Sequence, residues 1–296
     1  MRLEKENNLQ SSIFYPQRLA PSQMALFFPS SSSSTLEKLF ISLALLLFIG
    51  TTALAQAPDL PPDPYRFVVW TGGDVKGIAR GAVSPRALYA AASMGGVLFL
   101  LSGQDPELTE GAIELAEDMD PRLRKTLNEI GNVKAVRPMA LLMFLGSLTS
   151  RSRRLQDATF TSLEAIVISN LITNALKGIV GRARPARELG ARHFSPFSGD
   201  RSFPSGHATT VFAFTTPWLL YYGNVPTIVL FVMGAGTAFV RMADNLHWFT
   251  DVLVGSAIGF TTGYGLTRRH QRESVGVTIT PVVSAEQAGV SLRVVF

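Results

Sequence analysis

The chain has 296 residues, 47% of them hydrophobic and 17% charged, against about a quarter charged in an average soluble domain. Cysteine is absent, which excludes disulfides and thiolate chemistry. The formal charge is +5, but no basic tract with interleaved aromatic residues carries it, so no nucleic-acid partner is expected.

In chain order, Lys38 precedes an apolar run from Leu39 to Gly50, followed by Ala53-Leu54-Ala55 and Ala55-Gln56-Ala57. A basic flank, a short apolar run and a small-residue ending make residues 1–57 a signal-like leader, with an uncleaved first membrane span as the alternative. Met24 would give that leader an ordinary length. The prolines between Pro58 and Pro64 mark residues 58–86 as a linker.

Helical patterns then fill residues 87–270. Ala87–Leu101 is apolar, and Glu107–Ile130 is amphipathic with a break at Pro121, so it is expected at a surface. Pro138–Leu148 is apolar and is followed by Arg151, Arg153 and Arg154. Phe160–Val180, His207–Tyr222, Thr227–Met242 and Trp248–Leu266 complete the set. Several of these runs fall short of the ~20 residues that cross a bilayer, so they read either as spans with polar ends or as helices of a buried bundle. Residues 271–296 change period: Val277–Thr280 and Val290–Phe296 alternate on either side of Ser284–Gly289, which predicts a β-hairpin tail.

Three stretches carry the chemistry. Lys177 and Arg184 are two helical turns apart, so both cations leave one helix face, and Pro185 stops that helix. Two cations at an apolar helix end suit a phosphate, the arginine as a planar fork and the lysine as a point charge; alone, they equally suit two solvated residues at a membrane boundary. Pro204-Ser205-Gly206-His207 opens an apolar helix, where free amides and the positive end of the dipole favour an anion. Ser205 adds a hydroxyl, Gly206 permits close approach, and His207 is placed to protonate a departing oxygen; the bland alternative is a capped helix that happens to contain a histidine. His247 and Asp251 are four apart, so a carboxylate can fix one ring nitrogen and leave the other free to attack. Such a pair can also merely satisfy itself. Arg241, six residues upstream, can reach the same anion. Gly255, Gly259 and Gly263 continue the stripe and predict a close helix contact on that face.

Taken together and in this order, the three stretches resemble the signature of the type 2 phosphatidic acid phosphatase (PAP2) superfamily, which includes bacterial acid phosphatases and vanadium haloperoxidases. Lys177 to Arg184-Pro185, Pro204 to His207, and Arg241 to His247 to Asp251 match it, over roughly Phe160 to Leu266. Val240 departs, standing where the family usually has serine. The resemblance implies an all-α, membrane-associated bundle of about six core helices, to which the hairpin tail is accessory. It also implies a metal-independent phosphatase with no cofactor, acting on a phosphomonoester or pyrophosphate of a lipid. Catalysis would fall to His247 as nucleophile, Asp251 as its orienting carboxylate and His207 as proton donor. Lys177, Arg184, Ser205, Gly206 and Arg241 would bind the phosphoryl oxygens. The other activities left open are a periplasmic phosphatase of small soluble phosphoesters, a vanadate-dependent haloperoxidase and a non-catalytic envelope anion binder. His193 lies outside the signature, and the loop Ala186–Phe203 is expected to shape substrate access.

Antiparallel neighbours would bring the three stretches to one side and the arginines near 151–154 and 268–272 to the other. Short basic loops prefer the cytoplasm, so the site is expected to face the periplasm in a bacterial envelope. A cleaved leader followed by three crossings before Lys177 would reverse that, so either one early helix does not cross or the bundle is not threaded.

Overall fold

The structure, a computed structural model, describes residues 65–82, 84–273, 277–283 and 288–294. The leader 1–57 and the prolines at 58–64 lie outside the described residues. The first described element, α1 (Tyr65–Ala82), falls within the stretch expected to be linker. The prolines stop before it, and Phe67, Trp70 and Asp74 recur on one buried face. Helix periodicity therefore prevails over the punctuation upstream.

Eight further helices follow: α2 (Pro85–Leu101), α3 (Asp105–Leu115), α4 (Pro121–Ile130), α5 (Val133–Ser147), α6 (Arg153–Val180), α7 (Gly206–Tyr222), α8 (Val225–Ala243) and α9 (Phe249–Glu273). Most boundaries have a local cause. The Asp120 carboxylate accepts from the amides of Arg122 and Leu123, with Pro121 at the first helical position, so the amphipathic stretch breaks into α3 and α4. Asn132, Ser152 and Asn224 cap α5, α6 and α8 in the same way. The Ser152 cap starts α6 seven residues before the apolar run, because its first turns are polar yet buried. Gly181 ends α6 with φ 58. A Cβ there would meet the Ser195 carbonyl oxygen at 1.8 Å, so both the turn and the returning loop require glycine.

Helix α7 is central and packs on α9, α6 and α8. The expected glycine stripe of α9 faces it: a Cβ on Gly259 would come 2.3 Å from the Thr209 carbonyl oxygen. The core joins Leu155, Ala165 and Ile166 of α6, Val211, Phe214 and Trp218 of α7, and Val240 of α8. Helix α1 docks on α6 through Phe67, Trp70 and Phe160, with a buried ion pair between Arg66 and Asp157 at 2.7 Å.

Helices α6 and α8 are long and apolar enough to cross a membrane. Their outward faces are aliphatic: Val167, Leu171 and Ile179 on α6, and Val225, Ile228, Val229 and Val232 on α8, are exposed. Leu141, Leu142 and Leu145 of α5, with Leu148 just past its end, form a similar exposed stripe. After α9, β1 (Val277–Val283) and β2 (Ala288–Val294) pair antiparallel, with Val277 opposite Val294.

Candidate active site

Because α6, α7, α8 and α9 alternate in direction, the end of α6, the start of α7, the end of α8 and the start of α9 meet at one end of the bundle. All eight residues singled out in the sequence lie there. Between α6 and α7 the chain returns through an irregular loop held to the end of α6 by its backbone. Ser195 donates its amide to Gly181, Ser202 to Arg182, and the Ala183 amide bonds back to His193. Ser205 is pinned to α9 by its amide, which donates to the Asp251 carbonyl at 2.9 Å. The amides of Gly206, His207 and Ala208 precede the first intrahelical bond, from Thr209 to Ser205, and are free for an anion.

Several polar groups around the two imidazoles are buried without a partner. They are Ser205 Oγ, Arg241 Nε and His247 Nδ1. Arg184 is half-buried, and its guanidinium makes no hydrogen bond or ion pair among the described residues. Leaving several such donors unsatisfied is costly, and a tetrahedral anion would serve Ser205, Arg241 and Arg184 together, while His247 Nδ1 faces Asp251. A cleft of about 370 Å³ opens onto His207 and Arg241, with Arg124, Lys125, Asn128 and Glu129 of α4 as its opposite wall.

Two expected roles are modified. The Lys177 ammonium donates to the carbonyls of Arg201 (2.8 Å) and Pro204 (2.6 Å) and lies 3.5 Å from that of Ser202. It therefore ties the loop to α6 and adds charge to the site, with its protons already engaged. His247 lies just before α9, outside the helix, and its Nδ1 is 3.6 Å from Asp251 Oδ2, beyond hydrogen-bond range. That oxygen instead accepts from the Ser202 hydroxyl and from the Trp248 amide at 3.0 Å.

Burial pushes both imidazoles toward the neutral form. His207 is lowered to about 3, by burial first and then by the charge of Arg241, with His247, Lys177 and Arg184 contributing. His247 is lowered to about 4, again by burial first, with Asp251 opposing. Each of these charges acts on the others, so the histidines and cations share one electrostatic environment.

The structure adds residues that the motifs did not indicate. Arg182 is 1% exposed, and its Nη1 donates to Asp251 Oδ1 at 2.7 Å and to the Thr250 hydroxyl at 2.8 Å. Its Nη2 donates to Asp105 Oδ2 at 2.5 Å, and Asp105 Oδ1 accepts the Thr250 amide at 2.8 Å. Helix α4 contributes Asn128, whose carbonyl accepts from Arg241 Nη1 at 2.8 Å and whose amide donates to Asp244. A polar residue on an amphipathic surface helix reads as solvated, so only the three-dimensional contact reveals the role of Asn128. His193 is exposed and lines a separate cleft with Ser102, Leu189 and Arg192.

Residues 158–274 match the model of the PAP2 superfamily. Among curated proteins, the lipid A 1-phosphatase of Rhizobium etli is 36% identical over 99 residues, covering 32% of this chain and 42% of that protein. The lipid A 1-phosphatase of Porphyromonas gingivalis is 29% identical over 140 residues, covering 46% of this chain and 29% of the relative. The chain thus spans well under half the length of these relatives. Among solved structures, that of Aquifex aeolicus LpxE is similar with a TM-score of 0.42 and 22% identity, covering 55% of this chain and 94% of that one. The transmembrane PAP2-type phosphatidylglycerolphosphate phosphatase of Bacillus subtilis gives a TM-score of 0.44 at 18% identity, covering 70% of this chain and 97% of that one. The matched segment contains every site residue assigned from the sequence, and over residues 158–274 the chain is similar to the PAP2 superfamily.

Proposed function

We propose that this chain is a membrane-associated phosphatase that removes phosphate from a lipid phosphomonoester or pyrophosphate through a phosphohistidine on His247. The observation that carries the reading is the set of unpaired buried donors, Ser205 Oγ and Arg241 Nε with Arg184, gathered around two histidines held neutral. Neutral imidazole is the form that attacks phosphorus.

His247 Nδ1 faces Asp251 and would donate its proton there, which leaves the Nε2 lone pair for the attack. As the N–P bond forms, the bond from phosphorus to the leaving oxygen breaks, and His207 gives that oxygen a proton. Water then attacks the phosphohistidine, His207 takes one of its protons, and inorganic phosphate departs. Charge accumulates on the equatorial oxygens, where Arg184, Arg241, Ser205 and the α7 amides supply fixed donors. Burial first, and the surrounding cations in addition, push His207 toward the neutral form in the free site. A bound phosphoryl dianion offsets those cations, so substrate binding itself favours the protonated imidazole that the first step needs.

A lipid substrate is supported by the aliphatic outer faces of α5, α6 and α8, and by the lipid A 1-phosphatases among the relatives. The phosphate of an acylated sugar phosphate, of phosphatidic acid or of an isoprenyl pyrophosphate would then meet the site at the bilayer edge. The basic ends of α6 and α9 lie opposite the site, which favours a site on the outer side of a bacterial inner membrane. Purified protein offered these lipids and soluble monoesters should release phosphate from the lipids preferentially. Undiminished release by His247→Ala would overturn the reading, and preference for soluble monoesters would overturn the lipid assignment.

A further inference from the structure

Away from the catalytic end, three buried ligand-type side chains meet where α1, α6 and α9 pack together. They are Asp74, Glu164 and His270, with exposures of 1%, 8% and 0%, and one ligand atom from each lies within 4.8 Å of the others. His270 is nineteen residues beyond Asp251, about 28 Å along α9 at ~1.5 Å per residue. This cluster therefore has no part in the phosphoryl site.

The geometry points to a zinc site that pins α1 to the catalytic bundle. The His270 ring is already fixed in the way a ligand needs. Its Nδ1 lies 2.8 Å from the Thr161 hydroxyl, and Trp70 stacks on its face at 4.0 Å with the planes 7° apart. That leaves Nε2 aimed at the carboxylates, 2.8 Å from Asp74 Oδ2 and 3.6 Å from Glu164 Oε2. Asp74 Oδ1 is occupied separately by Arg269 Nη1 at 2.8 Å, which orients the carboxylate and frees Oδ2. Such outer contacts are the usual support of a metal ligand.

The proton on His270 Nε2 does not account for Glu164. Both of its carboxylate oxygens are buried with no hydrogen-bond partner. A single proton on Nε2 can serve Asp74 at 2.8 Å, but it cannot also serve Glu164 at 3.6 Å. A cation between the three atoms serves all of them. Tetrahedral zinc with arms of ~2.0–2.2 Å keeps its ligand atoms roughly 3.3 Å apart, and the two observed separations bracket that value. One imidazole with two carboxylates is a donor set suited to zinc, with the fourth position left to water. Binding replaces any proton on Nε2, so zinc uptake releases a proton when the ring carries one there. Helix α1 lies outside the segment matched by the family model, so the ion would fasten that helix to the matched bundle.

The test uses the untagged full chain in detergent, loaded with an equivalent of Zn2+, desalted and analysed for metal. One zinc per chain is expected, retained in His247→Asn and bound at least tenfold more weakly in Glu164→Gln. Failure of the wild type to retain zinc overturns the proposal, as does equal retention by Glu164→Gln. Should Glu164→Gln fail to fold, Co2+ titration of the wild type with the phosphate site saturated by vanadate decides. Visible d–d bands that saturate at one equivalent support the site, and their absence refutes it.

Discussion

Arg182 and Asp251 form an ion pair at 2.7 Å with almost no solvent contact, and the same guanidinium reaches Asp105 at 2.5 Å. The carboxylate that faces the proposed nucleophile is therefore set from behind by an arginine on the loop after α6 and by an acid at the start of α3. Sequence separations of 69 and 77 residues are closed by one side chain. The fork geometry matters as much as the charge, because the two Nη atoms serve different acids.

Arg182→Lys keeps a positive charge but cannot span both carboxylates. It is expected to lower kcat by about 10–100-fold, the range typical of groups that orient a first partner, with little change in KM. Arg182→Met leaves two buried acids unpaired and should destabilise the fold by about 3–5 kcal/mol. Thermal unfolding alongside steady-state kinetics separates the two effects. A kcat unchanged in a folded Arg182→Lys variant would show that Asp251 needs no support from behind.

His207 can be tested through the leaving group. An alkyl or sugar oxygen needs a proton as it departs, whereas p-nitrophenolate does not. His207→Ala should cost about 10²–10⁴-fold on an alkyl phosphate, the usual range for general acid catalysis, and clearly less on p-nitrophenyl phosphate. Equal losses on both would assign His207 to binding alone. In contrast, His247→Ala should remove both activities, together with the acid-labile, base-stable label expected of a phosphohistidine.

Both histidines give the stability a pH dependence of definite sign. Their folded values, about 3 and about 4, lie below the ordinary 6.5 because burial disfavours the charged rings. Between those values and 6.5 the unfolded chain binds more protons than the folded one, so stability rises with pH across that window. It should level off above pH 6.5 and fall progressively as pH drops toward 4. Replacing either histidine with asparagine should flatten the slope, as read from the melting temperature at pH 7 and at pH 4.5. Vanadate binding should also be accompanied by proton uptake, since the anion offsets the cations that add to burial in lowering His207.

The gathering of the candidate site residues at one end of the bundle was legible in the sequence because those residues are local: each motif sits at a helix end, and alternating helices bring four such ends together. The glycine stripe of α9 was legible for the same reason, since spacing by four reports one helix face. What escaped was the second layer. Asp105, Arg182 and Ser202 have no periodic relation to the motifs and meet only because the loop folds back along α6. Helix α1 escaped because prolines just ahead of it read as linker punctuation. Asn128 escaped because polar residues on an amphipathic helix signal solvent, although here that face looks into the site.

Asn128 joins α4 to the site at the Arg241 guanidinium, 2.8 Å away, and its amide is held by Asp244, which also takes Arg124 at 2.5 Å. Arg241 retains an unpaired Nε for the anion, so Asn128 fixes the orientation of the fork rather than consuming it. Asn128→Ala would free one guanidinium nitrogen and let the long side chain sample other rotamers before substrate arrives. Loss of one hydrogen bond to a charged group is worth about 1.5–3 kcal/mol, so kcat/KM should fall by roughly 10–150-fold. If Arg241 grips the phosphoryl oxygens before and during transfer as proposed, most of that fall is expected in KM, with kcat changing less. Asn128→Asp would instead add a carboxylate that competes with the substrate for Arg241 and should raise KM further. Kinetics on one lipid phosphate with the two variants decides this, and a KM unchanged in both would remove α4 from phosphate recognition.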